Sequence, residues 1–204
     1  MKIYSPQDSL DLTKYCECME EIKQRITIVE SFIGGVTLGQ NTYDYEVVSL
    51  NLRKILELIA FSSLVANKEA YSKAHKEYLH HWRTKNLLQN IEKINPDFYP
   101  KPLKLAPHSG EGPKNFLESD QPYLNQDEFS KLLNLCSDVL HVWNPYSPRE
   151  RKVDFELSVL EWIRKIQHLL DIHCIRLVSD SAVILVVMHN NDGKVHAYYS
   201  QSFP

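Results

Sequence analysis

The run from Tyr45 to Asn67, YEVVSLNLRKILELIAFSSLVAN, constrains this chain more than any other stretch. Read as a helix, its successive side chains lie about 100° apart, which puts Val48, Leu52, Ile55, Leu56 and Ile59 on one side and Leu50, Phe61 and Leu64 on the other. A helix that is apolar all round belongs inside a bundle, so the rest of the chain is expected to enclose it. Arg53 and Glu57 interrupt the second apolar face, one turn apart and able to pair along the helix. One reading is an intrahelical salt bridge at a bundle edge, with the Arg53 methylenes lying on apolar neighbours. The other is a polar centre that faces residues of other helices, since a buried ion demands further hydrogen bonds.

The flanking segments supply the enclosure. Leu12, Tyr15, Met19, Ile22, Ile26 and Val29 recur every three or four residues and predict a packing helix over about 8–32, stopped by Gly34 and Gly35. A third helix is expected over 68–94, with Tyr71, His75, Tyr78, Trp82 and Ile91 on or near one face. From 95 to 125 the chain changes character, because Pro96, Pro100, Pro102, Pro107, Pro113 and Pro122 exclude a continuous helix or an interior strand. Asn125, with Glu128 three residues on, marks the cap of a fourth helix through Phe129, Leu132, Leu133, Cys136, Val139 and Leu140. Pro145 and Pro148 forbid its continuation, and His141 and Asn144 stand at its end.

A fifth helix is expected over 153–172, with Asp154 and Glu156 at its start. The period then shortens to that of strands in IRLV, AVILVVM and KVHAYY, the last two joined across Asp192-Gly193, a hairpin signal. Two strands alone are marginal in water, so they must join the 175–178 run, pack on the bundle or pair with another chain. The expected architecture is mainly α, a five-helix bundle with a C-terminal β-hairpin or small antiparallel sheet. Residues 1–173 would form the bundle, including the Pro-rich loop at 95–125, and 174–204 the hairpin appendage.

Charge and cysteine content narrow the function classes. A net charge of -3 gives no global attraction to nucleic acid or an anionic membrane surface. The longest apolar run, 182–188, is too short to span a bilayer, and the opening residues carry no secretion signal. Cys16, Cys18, Cys136 and Cys174 lack the spacing of a disulfide framework, which points to a reducing cytoplasm.

Reaction motifs are sparse. Neither GxSxG nor HExxH occurs, and His75, His80 and His81 have no acidic third ligand at helical spacing, so no cofactor and no metal are expected. His189 and His196 could face one another across the hairpin, again without a third ligand. The remaining constellation is Arg53, Glu57, His141 and Asn144, a candidate catalytic centre if the two helices appose them: Arg53 would meet phosphate charge and His141 would move protons.

The order of parts, a central helix bearing LRKILELIAF and a later helix ending in CSDVLHVWNPY, resembles the all-helical HEPN-type domains of bacteria over roughly residues 9–172. In their catalytic members an Arg, a polar residue after it, then four to six residues in all before a His, carry metal-independent RNA cleavage. The closest form here is Arg164 to His168, with only three residues between them, which departs from that pattern. The resemblance therefore implies a non-catalytic or altered member, with Arg53, Glu57 and His141 as its polar centre. The expected function is a non-catalytic protein-interaction or regulatory protein of a bacterial defence or toxin-antitoxin system, with a protein partner, RNA as another candidate, and a homodimer. The alternatives are a HEPN-like ribonuclease and a bundle that binds a small molecule among Tyr71, Tyr78 and Trp82.

Overall fold

A computed structural model describes residues 6–35, 42–74, 84–107, 115–142, 146, 154–177 and 183–200. The described residues form six helices and five strands: α1 (Pro6–Gly35), α2 (Thr42–Ala66), α3 (Lys68–Ala74), α4 (Thr84–Ile94), β1 (Lys101–Leu105), β2 (Phe116–Glu118), α5 (Gln126–Leu140), α6 (Val159–Leu170), β3 (Ile172–Arg176), β4 (Val183–Val187) and β5 (His196–Ser200). It is mainly α with a small antiparallel sheet, as the hydrophobic periods predict. Among the described residues no helix is long and apolar enough to cross a membrane.

Helix α1 buries its three-and-four stripe from Tyr15 to Val29, with Tyr15, Met19 and Ile22 all at zero exposure and Leu12 partly buried, and packs along α2. Helix α5 starts where its signal lies. Asn125 Oδ1 accepts from the Glu128 N–H at 2.9 Å and the Glu128 carboxylate reaches back to the Asn125 N–H, which satisfies two of the donors a helix start leaves open. The expected helix over 68–94 is described as α3 and α4; residues 75–83 lie outside the described set, and with them His75, Tyr78, His80, His81 and Trp82.

Three expectations are corrected. Helix α6 starts at Val159 rather than 153, because Ser158 and Glu161 form the capping box and Glu156, at φ 62°, stands outside helical backbone. It ends at Leu170, and Ile172 already belongs to β3. Pro102 lies in β1, an interior strand of the order β2-β1-β3-β4-β5, against the expectation that proline excludes one there. The sheet tolerates it by stagger: β1 pairs with β3 only at Lys101 and Pro102 and with β2 only from Leu103 to Leu105, so the missing N–H falls where one ladder hands over to the other.

The third correction concerns α2. Its core side is fully buried at Val48, Leu52, Ile55, Leu56 and Ile59, but the opposite side is not enclosed, and Leu50 is 47% exposed. Its chief neighbours are α1 and α5, which leave the outer side of the helix open to solvent.

The hairpin is integral to a larger sheet. One face of β3, β4 and β5 carries His173, Ile175, Ile184, Val186, Ala197 and Tyr199, and Ile175, Ile184 and Val186 share one core cluster with the helices. Gly193, at φ 75°, makes the turn between β4 and β5, a conformation glycine adopts without a Cβ penalty. His189 and His196 do not face one another. His196 pairs in register with Val187 and its Nε2 lies 3.0 Å from Asp192, while His189 Nδ1 lies 3.9 Å from Asp171.

Candidate functional site

Arg53 and Glu57 meet as their spacing requires, with Nε donating to Oε1 at 3.0 Å. Their side chains are 38% and 27% exposed, so the pair sits at the rim of α2, neither sealed in the interior nor free in bulk water. The Arg53 charge reaches Cys136 of α5. Burial pushes that thiol up to about 12, and the guanidinium pulls only weakly the other way.

His141 is the C-cap of α5, five residues beyond Cys136 and thus about 7.5 Å further along the helix. It is exposed, and its backbone N–H donates to Ser137 O at 3.1 Å. Among the described residues its side chain bonds neither Arg53 nor Glu57. Asn144 lies outside the described residues. The structure thus brings two of the four expected residues into contact and gives them the edge-of-bundle geometry.

Arg164 and His168 share one side of α6, four residues apart. His168 Nδ1–H donates to the Pro122 carbonyl at 2.8 Å, and neighbouring Lys165 pairs with Glu128 at 2.8 Å. These bonds tie the segment before α5, and the first turn of α5, to α6. Among the described residues no group of three or more His, Cys, Asp or Glu side chains could hold a metal ion.

The best-defined polar site joins α1, α2 and β3. His173 is fully buried, and its Nδ1 lies 2.7 Å from the Leu170 carbonyl, which only accepts, so Nδ1 carries the proton. Its Nε2 is then an acceptor, and the Tyr15 hydroxyl donates to it at 2.7 Å. The rings lie 5.9 Å apart. Burial holds the imidazole down at about 4, only partly opposed by the Leu170 carbonyl, so it is neutral at physiological pH. Burial likewise drives the Tyr15 phenol far above the usual range, with the Ser62 hydroxyl pulling weakly against it. Both groups are sealed from solvent, and their chemistry is positional: they lock strand to helix.

A second buried network does the same at the C-terminal end of α2, next to Ser62. Asn95 Nδ2 donates to Asn67 Oδ1 and to the Arg176 carbonyl, both at 2.7 Å, and Asn67 Nδ2 donates to the Ser63 carbonyl. Nothing local in the sequence singles out either network. Tyr15 and His173 stand 158 positions apart, and the one hint is a polar residue in the strand run IHCIR.

Two surface features complete the inventory. A groove of about 580 Å³ follows α1 past Glu17, Glu21 and Arg25 to Lys194 and Val195. Most of its charge is spent within the molecule. Glu21 pairs with Arg25, Arg25 bonds Asn51 at 3.1 Å, and Glu20 Oε1 accepts from the Val195 N–H at 2.7 Å. Burial pushes the Glu20 carboxyl up, but the Val195 N–H and Lys23 outweigh it and hold it below the usual carboxylate range.

The other feature is the open side of α2. Tyr43 is 68%, Val47 39% and Leu50 47% exposed, at positions four and three residues apart on one helix face. Ile28 of α1, 49% exposed, lines the α1 groove instead. No family model matches the chain, and no curated protein or solved structure matches it.

Proposed function

We propose that the protein is a non-catalytic interaction or regulatory protein that docks a protein partner on the outer side of α2. The observation that carries this reading is the row Tyr43, Val47 and Leu50, three large apolar side chains exposed together on a helix whose other side is already committed to the core. Exposed apolar residues are ordinarily scattered singly, whereas a helical row of them is the form in which one helix recognises another protein. The Arg53–Glu57 pair lies next to this row and gives the surface a charged element.

All four cysteines are free thiols, which supports a reducing cytoplasmic setting. A bacterial defence or toxin-antitoxin context, as the likeness to HEPN-type domains implies, belongs to the same proposal.

A photoreactive residue placed at Leu50 in cells tests it, with the same residue at exposed Leu117 of β2 as control. A protein adduct from position 50 and none from 117 is the expected result. No adduct from position 50 overturns the reading. So does cleavage of labelled RNA by the purified protein that is lost in Arg53→Ala and His141→Ala, since that would make the same rim an active site.

A further inference from the structure

We infer that the partner on this face is a second copy of the same chain, its α2 lying antiparallel across the first about a twofold axis. This rests on the reading of α2 as the docking surface and adds who occupies it and in what register. The row on the open side of α2 does not stop at Leu50. It continues through Lys54, Glu57, Phe61 and Leu64, so that from Tyr43 onward the steps alternate four, three, four, three, four, three. That is the seven-residue repeat of a helix seam that packs against another helix. Lys54 is exposed, Glu57 is partly so, and Phe61 and Leu64 are half-buried at the core's margin.

The chemistry of this seam reads the same in both directions. From Val47 to Leu64 it runs apolar, apolar, lysine, glutamate, apolar, apolar. Laid antiparallel with the axis between Lys54 and Glu57, Val47 faces the second copy's Leu64 and Leu50 faces its Phe61. Lys54 faces the second copy's Glu57, and the axis generates each contact twice. A parallel arrangement would instead set Lys54 on Lys54 and Glu57 on Glu57, so charge selects the antiparallel one.

Lys54 has no partner within its own chain among the described residues, and Glu57 spends only Oε1 on Arg53. The seam from Val47 to Leu64 is about 25 Å long, enough for a continuous helix-to-helix contact.

The sheet does not compete for this role. The outer edge of β5 is covered by α1, which packs along it and accepts the Val195 N–H through Glu20. The opposite edge, β2, has only three residues.

Charge reversal tests the register. Light scattering should give twice the monomer mass for the wild type, and Lys54→Glu and Glu57→Lys should each weaken association by about tenfold or more, since each change acts twice across the axis. Mixed in equal amounts, the two variants should associate again, because every contact between them is then lysine to glutamate. Circular dichroism on each variant separates lost association from lost fold, and restoration on mixing requires both to be folded.

A wild type that stays monomeric at 100 micromolar or so overturns self-pairing, as does a dimer indifferent to both reversals or a mixture that fails to recover. An in-cell adduct from position 50 to a different protein, with a monomeric wild type, would sink self-pairing and leave the proposed docking function standing.

Discussion

Acid should weaken this protein through His173, by an amount the structure lets one work out. The imidazole sits at about 4 in the folded chain, against about 6.5 when exposed, because it is fully buried. The unfolded chain therefore binds a proton that the folded chain refuses, and stability rises with pH wherever the unfolded state holds more protons. The contribution of neutral His173 is thus complete above pH 6.5 and drains away as pH falls toward 4. At about 1.36 kcal/mol per unit, the two units between pH 6.5 and pH 4.5 amount to about 2 to 3 kcal/mol.

Carboxylates titrate in the same window, so the measurement is a difference. Urea unfolding of the wild type and of His173→Leu, each followed by circular dichroism at pH 7.5 and pH 4.5, isolates the imidazole. The variant starts less stable, because Leu170 and Tyr15 lose their partner, yet the gap between the two proteins should shrink by about 2 to 3 kcal/mol on acidification. A gap that stays constant would mean that the imidazole titrates alike in both states, and the sealed Tyr15–His173 lock would be refuted.

Three further expectations follow from other contacts. Asn95→Ala removes a buried amide that donates twice at 2.7 Å, and should cost about 2 kcal/mol in urea unfolding; a loss near zero would mean the network holds nothing together. Arg53→Ala should cost at most about 1 kcal/mol, because the ion pair is partly exposed and lies along one helix. A loss of about 3 kcal/mol or more would instead reveal a buried charge pair. Gly193→Ala forces a Cβ into positive φ at the hairpin turn and should lower stability by about 1 kcal/mol, read as a shift in the thermal midpoint.

What could be read from local pattern came through where neighbours in sequence are also neighbours in space. The α1 stripe, the Asn125 capping box, the Arg53–Glu57 pair and the turn at Gly193 are each settled within four or so residues, and each formed. The α6 start was legible locally, in the Ser158–Glu161 capping box, but the other two corrections share one cause. Pro102 was compatible with an interior strand because β1 changes partner beside it, and the second apolar side of α2 stayed open because its chief neighbours, α1 and α5, flank the helix. Neither fact is written in the residues themselves.

The candidate centre divides along the same line. Spacing alone brings Arg53 to Glu57, whereas the meeting with His141 would have needed two separate helices to place three side chains together, and periodicity carries no information on that. The polar locks at Tyr15–His173 and Asn67–Asn95 were equally out of reach. A buried hydrogen bond between distant segments depends on the distance and angle reached once the core has packed.

The amino-acid order by itself determined helix periods, caps, the hairpin turn and the heptad row along α2, because these depend on backbone geometry over a few residues. Tertiary structure alone decided which side of α2 would meet water. Which elements cover a helix is a property of the whole packed chain, and only the side left uncovered is available to another molecule.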